Sequence, residues 1–267
     1  MKEIEQEIIQ KKQFDRFVQD YDHLKGPNQN DIDRFIAEIK TLERFSLDSK
    51  RFYILFDFSK FYATYISENV AKEGGYPVKY IINQGLYFLF QRIHWKQLTS
   101  VYKVYKWGKK FQKMVGIHIP RNTYEIWYCG LKLKDNWGRW RTVILKEKLL
   151  ATTQDNKPLL AFLEAEEITN IYKTDVCWYR ASCFFEETRI TRAYFTNGAK
   201  KEYDDILSLR EIEILKLAAQ QKSNQEISEL LNISKNTVER HRKNMIARVG
   251  VTDITALIRI AQMVKII

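Results

Sequence analysis

Cysteine is scarce: only 3 occur in 267 residues, Cys129, Cys177 and Cys183. An odd number with no metal-ligand spacing excludes a disulfide framework and a zinc module, and reads as reduced thiols in the core of a cytoplasmic protein. Long apolar runs are also missing. None approaches the roughly 20 residues needed to cross a bilayer, and even the run from Phe52 to Phe58 is broken by Asp57. The opening stretch, MKEIEQEIIQKKQFDRF, is charged throughout and has no signal-peptide apolar core. A soluble cytoplasmic chain without a membrane partner is expected. No repeat or low-complexity tract interrupts it. No nucleophile–base set, metal spacing or phosphate-cradling glycine loop occurs either, so neither an enzyme nor a resident cofactor is expected.

What is present is globular in balance, with 45% hydrophobic and 29% charged residues over a length that suits two domains. The net charge of +11, from 44 Lys and Arg against 33 Asp and Glu, attracts polyanions and makes nucleic acid a natural partner. Residues 208–267 carry ten basic and six acidic side chains, which is +4 and leaves +7 for the rest. Charge alone therefore does not locate the binding surface.

Residues 1–49 read as a helical segment. Ile32, Phe35, Ile36, Ile39 and Leu42 recur on one helix face, after a Gly26-Pro27-Asn28 turn, with Asn30 or Asp31 as the cap. From Arg51 the character is β-rich. Phe52–Phe56 and Phe61–Ile66 form a hairpin pattern, and a helix is expected over Trp95–Met114. Strands are expected at Tyr124–Lys134, Arg139–Leu150 and Leu159–Glu166, joined by turn-forming residues such as Asp135-Asn136-Trp137-Gly138. Residues 175–196 add one more hairpin, and the polar stretch 197–206, with Gly198 and a Lys200-Lys201 pair, reads as a linker. The whole is α+β.

Several features of residues 50–170 resemble a PAS sensory domain. They are Ser67-Glu68-Asn69 after the second strand, Gly75-Tyr76-Pro77, Ile93-His94 before the long helix, the Asp135–Gly138 hairpin and a closing Glu167-Ile168-Thr169. The resemblance, with the extra hairpin outside its pattern, implies a sensory or dimerisation domain over 50–196. It also implies a small-molecule ligand, unidentified here, between sheet and helices. Tyr53, Phe56, Tyr62 and Tyr87 are candidates for lining such a pocket, with core packing an equal reading. His94 reads as structural rather than as a haem ligand, and the flavin-reactive Asn-Cys motif is missing.

Residues 207–267 read as four helices. Ser208-Leu209-Arg210-Glu211 and Ser223-Asn224-Gln225-Glu226 are both capping boxes, in which serine and glutamate satisfy each other's orphan N–H groups. The inward faces would hold Ile212, Leu215 and Ala219, then Ile227, Leu230 and Leu231. Asn232 suits a left-handed turn, Ile233 plugs the core, and Ser234 caps a third helix, Lys235–Val249. There Val238, Met245, Ile246 and Val249 face inward, with the stem of Arg242 as a further candidate. Five Lys or Arg and one Glu between Lys235 and Arg248 give that helix +4. A short helix, a tight turn and a basic helix fit the major groove. The last helix, about 253–267, carries more apolar surface than one stripe needs. A dimer contact is the favoured reading, ahead of packing on the N-terminal domain.

These residues resemble the LuxR/NarL-type helix-turn-helix domain across Leu207–Ile267. The matches are Leu207-Ser208-Leu209-Arg210-Glu211, offset by one from the commonest form, Ser223-Asn224 with Glu226-Ile227, and Ile233-Ser234 with Thr237-Val238 and His241. Ser228 departs from the usual alanine at the helix crossing. The resemblance implies that Glu239, Arg240 and Lys243 face base edges. It implies that Lys235, Asn236, Thr237, Ser223 and Asn224 meet the DNA backbone. A transcription regulator binding double-stranded DNA as a homodimer follows, with RNA polymerase as a further partner. The other reading is a protein–protein adaptor or a sigma-like factor. A phosphorylated receiver domain is disfavoured, because Asp57 has no acidic pair before it.

Overall fold

The computed structural model describes residues 25–45, 50–115, 124–153, 157–185, 188–197 and 201–267. The helix α1 (Gln29–Phe45) is followed by strands β1 (Arg51–Asp57) and β2 (Tyr62–Ile66) and helices α2 (Asn69–Gly74), α3 (Val78–Arg92) and α4 (Trp95–Val115). Strands β3 (Glu125–Lys134), β4 (Trp140–Thr152), β5 (Pro158–Glu167), β6 (Trp178–Phe185), β7 (Thr188–Phe195) and β8 (Glu202–Tyr203) come next. Helices α5 (Leu209–Ala219), α6 (Asn224–Leu231), α7 (Lys235–Val249) and α8 (Ile254–Met263) close the chain. The strands make one antiparallel sheet in the order β2-β1-β5-β4-β3-β6-β7-β8, whose first five members follow the PAS order. The hairpin that fitted no part of that pattern is an extension: β6 pairs with β3, register Tyr128↔Tyr179, and β7 and β8 follow. Within 197–206, expected as a linker, Glu202 and Tyr203 join the sheet and Ile206 is buried.

Side chains alternate across a strand, and here both faces are covered. On the front, Ile54, Phe56, Ile126, Tyr179 and Ala181 pack with Phe88, Val104 and Trp107 of α3 and α4. On the back, Tyr53, Leu55 and Leu160 pack against Ile32 and Ile39 of α1. Tyr53, expected as a pocket residue, thus faces the other way, stacked on Phe162 at 5.8 Å. The α1 cap also lies at least two residues earlier than expected: the Asn30 N–H donates to the Asn28 side chain at 3.0 Å. Leu42, expected on the inward face, is 50% exposed. The serine and asparagine after β2 pin the hairpin. The Tyr53 N–H donates to Ser67 Oγ at 2.9 Å, and the Asn69 amide donates to the Arg51 carbonyl at 3.0 Å.

Beyond α1, the four C-terminal helices cover the back face. Trp127, Cys129, Ile144, Trp178 and Phe195 of the sheet share one core with Ile214, Val238, Met245, Leu257 and Val264. The apolar surplus of α8 goes there, with Leu257, Ile260, Ala261 and Val264 all buried, so that stripe is not a dimer contact. Packing against the sheet was the second-ranked expectation.

Three polar clamps fix the seam. The Trp178 indole N–H donates to the Val249 carbonyl at 3.1 Å. Arg180, 2% exposed, spends Nε and Nη2 on the Asp205 carboxylate (2.7 and 2.9 Å) and Nη1 on the Val264 carbonyl (3.0 Å). Backbone bonds run from Lys173 N–H to the Gly250 carbonyl and from Thr252 N–H to the Ile171 carbonyl. Gly250 has φ 84°, and a Cβ there would lie 2.0 Å from Thr174 Cγ2, so the close approach needs glycine. Breaking a buried pair by removing one partner costs far more than the pair contributes. Arg180→Ala should therefore lower stability by about 3–5 kcal/mol in urea denaturation; a loss below about 1 kcal/mol would mean the clamp is not structural.

Candidate nucleic-acid interface

The C-terminal helices start where serine or aspartate meets the orphan N–H groups. Ser208 and Ser223 each form a complete capping box, with Glu211 and Glu226 reaching back. Ser234 accepts from the Thr237 N–H at 3.1 Å, and Asp253 from that of Ala256 at 2.9 Å. Between α6 and α7, Asn232 is left-handed (φ 54°, ψ 45°). Ser228 is 7% exposed, and its hydroxyl donates to the Gln225 carbonyl at 2.7 Å, so the hydroxyl at the helix crossing is satisfied within its own helix.

The inward faces are Ile214 and Leu215, then Ile227, then Val238, Met245 and Val249. Leu207 fills the core, while Leu209 is 83% exposed. One expectation changes: Leu230 is turned out at 61%. Leu230 shares a face with Ile227 only loosely, and Leu231 takes the contact with the core instead.

On α7, Lys235, Asn236, Arg240 and Lys243 are exposed. Asn236, Arg240 and Lys243 lie four and three residues apart, so they form one outward stripe along the helix. Thr237 is half-buried, with its hydroxyl 2.9 Å from that of Ser234. Ser223 is exposed at the start of α6, its hydroxyl accepting from the Glu226 N–H at 3.2 Å. Asn224 is half-buried and bridges the two helices. Its amide approaches Glu239 at 3.5 Å, while its oxygen accepts from the Arg242 guanidinium. Arg242 thus serves as a brace, with its head as well as its stem. Nothing in the spacing pointed to this, because the pair is 18 residues apart and joined only by the crossing of α6 on α7. His241 is half-buried.

Two charged contacts hold the helices of the module together. Arg248 of α7 pairs with Glu211, the capping glutamate of α5, and also donates to the Ile206 carbonyl at 3.3 Å. The Arg210 guanidinium donates to the Leu231 carbonyl at 2.6 Å, capping the end of α6. Burial disfavours ionisation of Glu211, but the Arg248 bond and the Ser208 N–H outweigh it and hold its carboxyl below the usual range. The more exposed Glu226 is held at about 2, chiefly by the Ser223 N–H and then by Lys222.

A depressed carboxylate stabilises the folded state above its unfolded pKa, near 4.3, and that support fades as pH falls through the folded value. Glu211→Gln should cost about 2 kcal/mol at pH 7. The gap to the parent protein should narrow below pH ~4, as read by thermal unfolding across pH. A gap independent of pH would discard the ion-pair account.

Comparison with known proteins locates the same module. Residues 205–261 match the family model described as bacterial regulatory proteins, luxR family. The transcriptional regulatory protein MctR of Rhizobium johnstonii is 44% identical over 76 residues, which cover 26% of this chain and 36% of that protein. The chain thus matches about a third of the length of this curated relative. Among solved structures, a Vibrio cholerae VqmA dimer aligns over 84% of this chain and 88% of its own, at 14% identity and a TM-score of 0.32. Escherichia coli SdiA aligns over 85% and 90%, at 13% identity and a TM-score of 0.26. The module spanning residues 205–261 is a LuxR-type helix-turn-helix domain.

Proposed function

We propose that this chain is a cytoplasmic, sequence-specific DNA-binding transcription regulator, controlled by a signal or ligand at its PAS-like domain and acting as a homodimer. The observation that carries the reading is the exposed stripe Asn236, Arg240 and Lys243 on α7, backed by α6 and by the sheet behind it. A helix held from behind and basic in front is what a major groove accepts. Arg240 and Lys243 read base edges, Arg240 through guanine O6 and N7. Glu239, bonded weakly to Asn224, accepts from a cytosine amino group or orients Arg240. Lys235, Asn236, Thr237 and Ser223 meet phosphates at the two helix N-termini, where N–H groups favour anions. Asn224 reaches the backbone only by loosening its bond to Arg242.

Paired modules on a two-fold site account for dimer binding. The dimer surface lies outside the buried stripe of α8. RNA polymerase is the partner that regulation of transcription requires. The PAS-like unit spans 50–196 and the DNA-binding unit 207–267.

Arg240→Ala should cost about 1–3 kcal/mol on the preferred operator and relax base preference there. Fluorescence anisotropy with operator and scrambled duplexes measures this, and unchanged operator binding would reject the contact. Lys235→Ala should weaken all sequences alike and lower the salt slope by about one. A sequence-dependent loss would move Lys235 from phosphate to base. Uniformly weak, sequence-blind binding by the parent protein would favour the adaptor reading instead.

A further inference from the structure

Between the front of the sheet and helices α3 and α4 lies a cavity of about 180 Å³, walled by Phe56, Phe90, Val101, Tyr128, Leu145 and Leu163 among others. A second hollow of about 90 Å³ adjoins it through Phe52, Ile54 and Leu89. Of the four aromatics expected to line a pocket, only Phe56 does so, and Tyr62 and Tyr87 lie outside this lining. The walls are nearly all apolar. The charged exceptions are Lys109 of α4 and Glu147, in the middle of β4.

Glu147 sits on the front face of a central strand, among Val143, Leu145 and Leu149. Glu147 is half-buried and lines the cavity. Tyr128 on β3 donates its hydroxyl to Glu147 Oε2 at 2.7 Å. The other oxygen, Oε1, has no hydrogen-bond partner among the described residues. Burial pushes the carboxyl above its ordinary range, partly offset by the Tyr128 hydroxyl. A buried acceptor with a free lone pair costs free energy until a donor meets it. The Tyr124 hydroxyl, also at the wall, is directed to the Gly108 carbonyl at 3.4 Å.

An apolar cavity of roughly 150 Å³ takes up benzene, so this one has room for a somewhat larger body. We propose that it binds a compact apolar molecule, on the order of eight to ten non-hydrogen atoms, whose single hydrogen-bond donor is received by Glu147. The inference deepens the ligand-responsive reading above and rests on it. It also names the discriminating residue: Glu147 rejects apolar molecules that lack a donor, because they leave its oxygen unpaired.

The test uses the full chain without DNA and two isosteric probes, 2-phenylethanol and propylbenzene, which differ only by hydroxyl against methyl. Ligand-observed NMR titration should show 2-phenylethanol binding roughly tenfold tighter. Glu147→Leu should abolish that preference while propylbenzene still binds. Glu147→Gln keeps the volume, and with its oxygen on Tyr128 it presents an N–H donor that the alcohol oxygen can accept, so a preference for 2-phenylethanol should remain there. Equal affinities in the parent protein, or a preference that survives Glu147→Leu, overturn the role of Glu147 and leave the cavity a site. No saturable binding of either probe overturns the site itself. Since DNA is absent from the measurement, failure of operator recognition is read separately.

Discussion

Strands β3 and β6 are buried on both faces, and the arrangement of the molecule depends on that. Trp127 and Cys129 point into the core shared with the helix-turn-helix module, while Ile126 and Tyr128 point toward α4 and the cavity. On β6, Trp178 and Arg180 face the module, and Tyr179 and Ala181 face the other way. A one-residue slip would exchange the two sets and put the Arg180 guanidinium into an apolar layer. The register is therefore strongly specified. It is also why these runs read as continuously apolar instead of alternating.

The buried arginine sets how the module sits. A guanidinium donates in a rigid planar fork, so the Asp205 carboxylate and the Val264 carbonyl must both lie where that fork points. Asp205 precedes the first module helix and Val264 ends the last, so one side chain fixes both ends against the sheet. The Trp178–Val249 bond and the Gly250 approach fix the C-terminal end of α7. The orientation of the exposed basic stripe is thereby tied to β6, which pairs with β3, one of the strands that wall the cavity.

Local chemistry made much of the module legible. Both capping boxes, the left-handed Asn232 and the Ser234 cap involve residues within three positions of each other, and stereochemistry settles them without reference to the rest of the chain. The hairpins were legible for a similar reason, since period and turn residues act over short separations. The misplacements have one cause in common. Leu230 turned outward, Tyr53 facing α1 and Leu42 exposed all depend on which neighbour arrives from elsewhere in the chain. Periodicity gives a face but not the direction in which that face points.

By itself the sequence determined the strand hairpins, the starts of the C-terminal helices and the concentration of positive charge on one of them, because each is fixed by contacts between near neighbours. Tertiary structure alone decided that α8 packs inward, that the extra hairpin extends the sheet, and that Glu147 opens onto a cavity. Each of those needs strands and helices far apart in the chain to meet, and the free energy that chooses among such meetings resides in burial over the whole surface.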